Sequence, residues 1–425
     1  MKTIELIGLE QNVYYEKLNN GLEIFLIPYK NKSNYAMHYL TKYGSIQTTF
    51  VPYGKKEKIT VPDGIAHFLE HKMFEQEDGI DPFTFASKTG TYSNASTNFE
   101  CTRYYFEGNQ AFEENLNYLL DFVGSPYFTD ENVEKEKGII AEEIKQYDDE
   151  VDWTFEEELK KALLKKDNHR VDIAGTVESI NKITKEDLYN TYYTFYQPSN
   201  MFIVISGDFD KDVAINTIKN NTTLNKANSN FEIKVFNEEE PLEVNNKKVE
   251  LELPIATTKV GYGIKISLSK VTDKYLFNLY IGMMLNIKFG LSSLFREKLK
   301  TNKLMTSFYI EREIIGDYLI ISFKADSSNP EKLVEAIKKE LENIDVSEED
   351  INRLKKVWIS SEVIMIDNIN MTLENIIDDV IQYGKIIANK IDIYRSLNKK
   401  EYDKTLSKVD FSNSSILIIS PKKLT

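Results

Sequence analysis

The 425-residue sequence predicts an α+β chain made of two homologous α/β-sandwich domains related by internal duplication. Three observations carry this. β-rich runs alternate with segments of helical period, a polar stretch divides the chain near its middle, and a similar order of elements recurs after it. Residues 20–29, 34–50 and 98–107 read as strands. Between them lie a helix around His67 and His71 and another from Pro82 to Lys88. Helices follow over 111–124, 130–148, 153–165 and 184–194, and the buried strand Val204 to Gly207 closes a first domain, 1–220. Residues 221–247 are rich in Asn and Glu and read as a linker. In 248–425, strands Val249 to Leu253 and Val260 to Ile266 precede an apolar helix, Lys274 to Lys288. Strands Phe308 to Glu313 and Tyr318 to Lys324, helices at 330–343 and 348–388, and a strand Ser415 to Ser420 complete it. Pattern alone leaves two unrelated α+β domains as the alternative.

Composition narrows the function classes. A hydrophobic share of 41% is ample for two cores. The net charge of −14 argues against nonspecific nucleic-acid binding, which needs a basic surface. The single cysteine, Cys101, excludes an intrachain disulfide and suits a reducing compartment. The first residues lack an apolar core of signal-peptide length, and no stretch is long and apolar enough to span a bilayer. These features lead us to expect a cytoplasmic protein with no membrane or nucleic-acid partner.

The segment His67-Phe68-Leu69-Glu70-His71 holds two of the chain's four histidines. On a helix, residues at i and i+4 share a face, so both rings can reach one metal ion, and Glu70 points the same way. Pro62 and Asp63 mark the helix start, with Asp63 as the expected N-cap. Ile65, Phe68, Leu69 and Lys72 fall on the other sides. The pattern HxxEH is the inverzincin signature: two imidazole ligands, and a carboxylate that stays off the metal and takes a proton from the attacking water. Two surface histidines on an amphipathic helix would be the plainer reading. The intervening glutamate and the scarcity of histidine favour the metal site.

A third ligand is expected from the acidic helix at 130–148. Val133, Glu136, Ile139, Ile140, Glu143, Ile144 and Tyr147 fall in one arc, which puts Glu136 and Glu143 in the middle of its apolar face. Carboxylates there need compensation. Glu143, rather than Glu142, is therefore the expected ligand, and Glu136 the acid that hydrogen-bonds a ligand histidine.

HFLEH, followed by SNAST (Ser93 to Thr97) and EKGIIAEEI (Glu136 to Ile144), resembles the pitrilysin/insulinase family of zinc metallopeptidases, which includes mitochondrial processing peptidase. The stretch Val61 to Phe74, VPDGIAHFLEHKMF, is most similar to bacterial cytoplasmic two-domain members. The spacing from His71 to Glu143, 143 − 71 = 72 residues, fits the family. The resemblance implies a pitrilysin-like fold and one zinc ion on His67, His71 and Glu143. It also implies Glu70 as general base, Glu136 as supporting acid, and Asn94 as a residue that holds the substrate backbone. Implied too is an Arg/Tyr pair in the second domain, but the aligned positions hold Leu299 and Thr306, with Arg296 and Tyr309 nearby. The family builds chambers from four such domains, so a two-domain chain is expected to act as a homodimer or as a heterodimer with a paralogous subunit. The expected activity is zinc-dependent endopeptidase hydrolysis of peptides or small unfolded polypeptides inside a chamber. The alternative is a non-catalytic or structural subunit of a heterodimeric peptidase with a vestigial metal site.

Overall fold

Alternating β-branched and aromatic residues build two large sheets in the computed structural model, which describes residues 1–227 and 231–422. Residues 228–230 of the expected linker and 423–425 of the expected second domain lie outside the described residues. Two units emerge, and neither is a continuous half of the sequence. The first takes Met1–Lys145, Val171–Asn237 and Glu362–Lys390; the second takes Gln146–Arg170, Glu238–Ser361 and Ile391–Thr425.

The first unit holds a seven-stranded sheet. Its strands run in the order Lys2–Leu6, Gln11–Lys17, Glu23–Pro28, Met201–Gly207, Tyr35–Thr41, Thr102–Gly108 and Tyr92–Thr97. Only Glu23–Pro28 and Met201–Gly207 pair in parallel. The period-2 alternation of Tyr35–Thr41 sorts its side chains between two cores. Tyr35, Met37 and Tyr39 join Phe68 and Leu69 of helix Ile65–Met73 and Leu116 and Leu119 of helix Phe112–Val123. Ala36 and Leu40 face Leu373, Ile376, Ile377 and Val380 of helix Ile369–Tyr383. The long helical run expected at 348–388 is broken near Asn368, whose side chain caps Ile369–Tyr383 by accepting from the Asn370 and Met371 amides.

The second unit holds a five-stranded sheet in the order Lys248–Leu253, Ser414–Pro421, Lys259–Ser267, Tyr318–Asp326 and Ser307–Ile315, with the first pair parallel and the rest antiparallel. This repeats the last five strands of the first sheet position for position. One of its faces is covered by helix Val151–Leu163, whose Phe155, Leu159 and Leu163 pack with Ile320, Leu417 and Ile419. Gly261 and Gly263 permit this close approach: a Cβ on Gly263 would come 2.6 Å from a Leu163 methyl. The expected linker is not simply a solvated tether. The Glu240 carboxylate is buried, pairs with Lys265, and accepts from the amides of Lys165, Lys166 and Asp167. Among the described residues, no helix is long and apolar enough to cross a membrane.

Candidate metal centre

Helix Ile65–Met73 carries the HxxEH segment, but not with the expected cap. Asp63 is not the N-cap. The N-cap is Gly64, in the left-handed region at φ 88°, with no side-chain cap. Its backbone is pressed against the loop at Ala174, where a Cβ on Gly64 would lie 2.3 Å from the Ala174 carbonyl oxygen. Asp63 contributes its carbonyl, which accepts a hydrogen bond from Ser179 Oγ at 2.8 Å. The helix start is therefore fixed by close backbone packing that only glycine permits.

From this helix, His67 and His71 converge on Glu143 of helix Asp130–Asp148. His67 Nε2 lies 3.8 Å from one Glu143 carboxylate oxygen, and His71 Nε2 lies 3.5 Å from the other. The three donor atoms all fall within 4.8 Å of one another. On the far side of the His71 ring, Nδ1 is 3.0 Å from Glu136 Oε1. The acidic helix buries a narrower stripe than its sequence suggests. Val133, Ile140 and Ile144 are buried, whereas Ile139 is 49% exposed. Glu136 and Glu143 lie on the flank between them, not in the middle of the apolar face, half-buried where a carboxylate can meet both histidines.

Glu70 is buried and outside the converging donor set; its Oε2 accepts from Thr97 Oγ1 at 2.6 Å. Burial raises the Glu70 pKa, opposed by the Thr97 hydrogen bond and by the charge of His71. Burial and the neighbouring His71 hold His67 down to about 4. Burial also acts to lower His71, but the bond to Glu136 and the charges of Glu70, Glu136 and Glu143 outweigh it and raise its pKa. Burial acts to raise Glu136, yet its bond to His71 and the charges of His71 and Lys72 leave it lowered. Two imidazole nitrogens and one carboxylate, with one carboxylate held aside, match the donor set of a catalytic zinc site with an open position.

Thr97 belongs to strand Tyr92–Thr97, the free edge of the first sheet. The polar run YSNAST hid this strand from sequence reading. Ala95 faces the core that contains the HxxEH helix, so Asn94, one residue away, faces the opposite side, paired with Tyr105. Asn94 thus shares the strand with Thr97 but does not point toward Glu70. Its Oδ1 accepts from the Ala95 amide at 2.9 Å, and its Nδ2 donates to Tyr92 OH. The Asn98 amide donates to Cys101 O in the following turn, and antiparallel alternation then turns the Ala95 amide toward the free edge.

The other two histidines and the aligned positions of the second unit have other partners. His38 is buried and stacked on Tyr105 at 4.6 Å, and His169 pairs with Asp167 at 2.6 Å. In the second unit, Leu299 is core and Thr306 is exposed, while the Arg296 guanidinium donates to Phe308 O and lies over the Phe308 ring. Tyr309 is 65% exposed. Sequence reasoning missed Lys72. The sequence places it on the other sides of the helix with Ile65, Phe68 and Leu69 but gives it no partner; its side chain is wholly buried, ion-paired with Glu75 and 3.7 Å from Glu136 Oε2.

Comparison with known proteins agrees with this architecture. Residues 51–177 match the family model for insulinase (peptidase family M16), and residues 182–357 match the peptidase M16 inactive domain. The chain is 38% identical over 369 residues to an uncharacterized zinc protease, YmfH, of Bacillus subtilis (strain 168), covering 84% of this chain and 85% of the relative. The crystal structure of an M16-like protein from Alicyclobacillus acidocaldarius superposes with a TM-score of 0.90 at 29% identity, covering 98% of this chain and 100% of that one. Pitrilysin shares the fold, at a TM-score of 0.77 and 15% identity, over 100% of this chain and 46% of its own. A zinc-protease relative over most of its length, matching models in both halves and a pitrilysin-like fold place the chain in the insulinase family of peptidases, M16.

Proposed function

We propose that the chain is a zinc-dependent endopeptidase of peptides or small unfolded polypeptides. One observation carries this reading: His67, His71 and Glu143 converge, while Glu70 is held aside by Thr97 on a free strand edge. A zinc ion held by His67, His71 and Glu143 would polarise a water and the scissile carbonyl. Glu136 holds His71 by Nδ1, which leaves Nε2 turned toward Glu143. Glu70 accepts the proton of the attacking water and delivers it to the leaving amine nitrogen; a raised pKa suits a group that must take and return a proton. An extended peptide adds to the edge strand Tyr92–Thr97 through main-chain hydrogen bonds. For this, the Asn94 amide swings away from the Ala95 N–H and becomes a ligand for the peptide backbone.

The reading includes a reducing, cytoplasmic setting, consistent with a buried lone Cys101, and a paired assembly, a homodimer or a heterodimer with a paralogous subunit. A second reading, a non-catalytic subunit, draws on Leu299 and Thr306 at the expected Arg/Tyr positions. Metal analysis with cleavage of a mixed peptide library separates the two. The enzyme reading expects about one zinc per chain and cleavage, with both lost in His71→Ala. Zinc without cleavage, alone or with a paralogous partner, would favour the second.

A further inference from the structure

We propose that Lys72 is a positioning residue for the zinc site, acting through Glu136. The inference rests on the metallopeptidase reading above. A fully buried ammonium is costly unless paired, so its place next to a ligand histidine calls for a reason. Lys72 lies one residue beyond His71, about 100° further round the helix. The two adjacent side chains reach the two oxygens of one carboxylate: His71 Nδ1 is 3.0 Å from Glu136 Oε1, and Lys72 Nζ is 3.7 Å from Glu136 Oε2. Glu136 is thereby held at both oxygens, by the hydrogen bond with His71 and the ion pair with Lys72. A second carboxylate, Glu75, holds the ammonium from the solvent side and keeps it at this post.

The clamp also answers a question of charge. An imidazole that ligates a metal is neutral and cannot balance a half-buried carboxylate behind it. Lys72 supplies that balance without competing for the metal, because an ammonium offers only donors. Glu136 can then remain an acceptor for His71 Nδ1–H, the contact that aims Nε2. With Lys72 removed, the carboxylate keeps one anchor and loses its counter-charge.

The test is zinc affinity by chelator competition for the wild type, Lys72→Met, Glu136→Gln and the double variant. We expect Lys72→Met to bind zinc about tenfold more weakly, within the range for removing an outer partner of a metal ligand. In the Glu136→Gln background, Lys72→Met should cost nothing further. The metal-free melting temperature of Lys72→Met should fall, because Glu136 loses its counter-charge, and should fall less in the Glu136→Gln background. Should Lys72→Met fail to fold, Lys72→Gln enters the same cycle with the same expected non-additivity. Wild-type affinity in Lys72→Met, or an equal loss with and without Glu136, overturns the proposal and leaves the zinc site standing. A wild-type chain that binds no zinc overturns both.

Discussion

The two units repeat one plan and use it differently. Both have a parallel pair followed by three antiparallel strands in the same order, and in both a helix follows the first of those three, Tyr35–Thr41 or Lys259–Ser267, on the way to the edge strand. In the second unit that helix, Lys274–Phe289, is apolar: Tyr280, Ile281, Met283, Met284 and Leu285 are all buried. In the first unit its counterpart is Ile65–Met73, with His67, Glu70 and His71 among packed Phe68, Leu69 and Met73. Such a fold stands without the candidate metal residues, so these are an addition to it. They burden the first unit with buried polar groups: Thr97 answers Glu70 and Glu136, with Lys72 beside it, answers His71, while His67 Nδ1 is buried without a hydrogen-bond partner. The exchange of covering helices is also symmetric. Val151–Leu163 comes from before the middle of the chain to the second sheet, and Ile369–Tyr383 comes from after it to the first.

The comparison can be broken most sharply at the starts of the two corresponding helices. The HxxEH helix begins at Gly64, whose conformation and contact with Ala174 exclude a side chain. Gly64→Ala should destabilise the first unit by about 2–4 kcal/mol, with a visible loss of melting temperature. A loss below half a kcal/mol would mean that the backbone contact does not set the helix start.

Acid should next reveal the burden carried by the first sheet. Burial, with a lesser push from Arg103, holds His38 down to about 3, against an ordinary value near 6.5. Between those two values the unfolded chain binds a proton that the folded one refuses. Stability from this group is thus present above about pH 6.5 and is lost as pH falls toward 3. By pH 5 the loss is on the order of 2 kcal/mol. His38→Phe, which keeps a ring to stack on Tyr105, should show a shallower loss between pH 7 and pH 5 in urea titrations. Parallel curves would remove His38 from the account.

The smallest effect belongs to the second unit. Its apolar helix is capped conventionally, Asp273 accepting from the Leu276 amide. Asp273→Ala should cost only about 1 kcal/mol, readable as a small shift of the denaturation midpoint. A cost matching that of Gly64→Ala would erase the contrast between the two helix starts.

Much of the candidate site was legible because it is written at short range. The i, i+4 histidines, Glu70 and the phase of Glu143 need only a helix, and both helices form where expected. What escaped depends on contacts distant in sequence. Asp63 looked like a cap because nothing nearby in the sequence announces the Ala174 loop. Lys72 drew no role because its partner Glu136 lies 64 residues on, by the difference 136 − 72. The edge strand Tyr92–Thr97 lacks the β-branched apolar pattern because one side of it is open. The exchange of Val151–Leu163 and Ile369–Tyr383 was invisible because an apolar stripe says that a helix is covered, never by which sheet.

The central claim is that Glu70 moves the proton while His67, His71 and Glu143 hold the metal. Glu70→Gln tests it most directly, with zinc content and peptide turnover measured on the same preparation. The account predicts zinc at the wild-type level and turnover reduced by at least about 100-fold. Turnover near that of the wild type, with zinc retained, would contradict it.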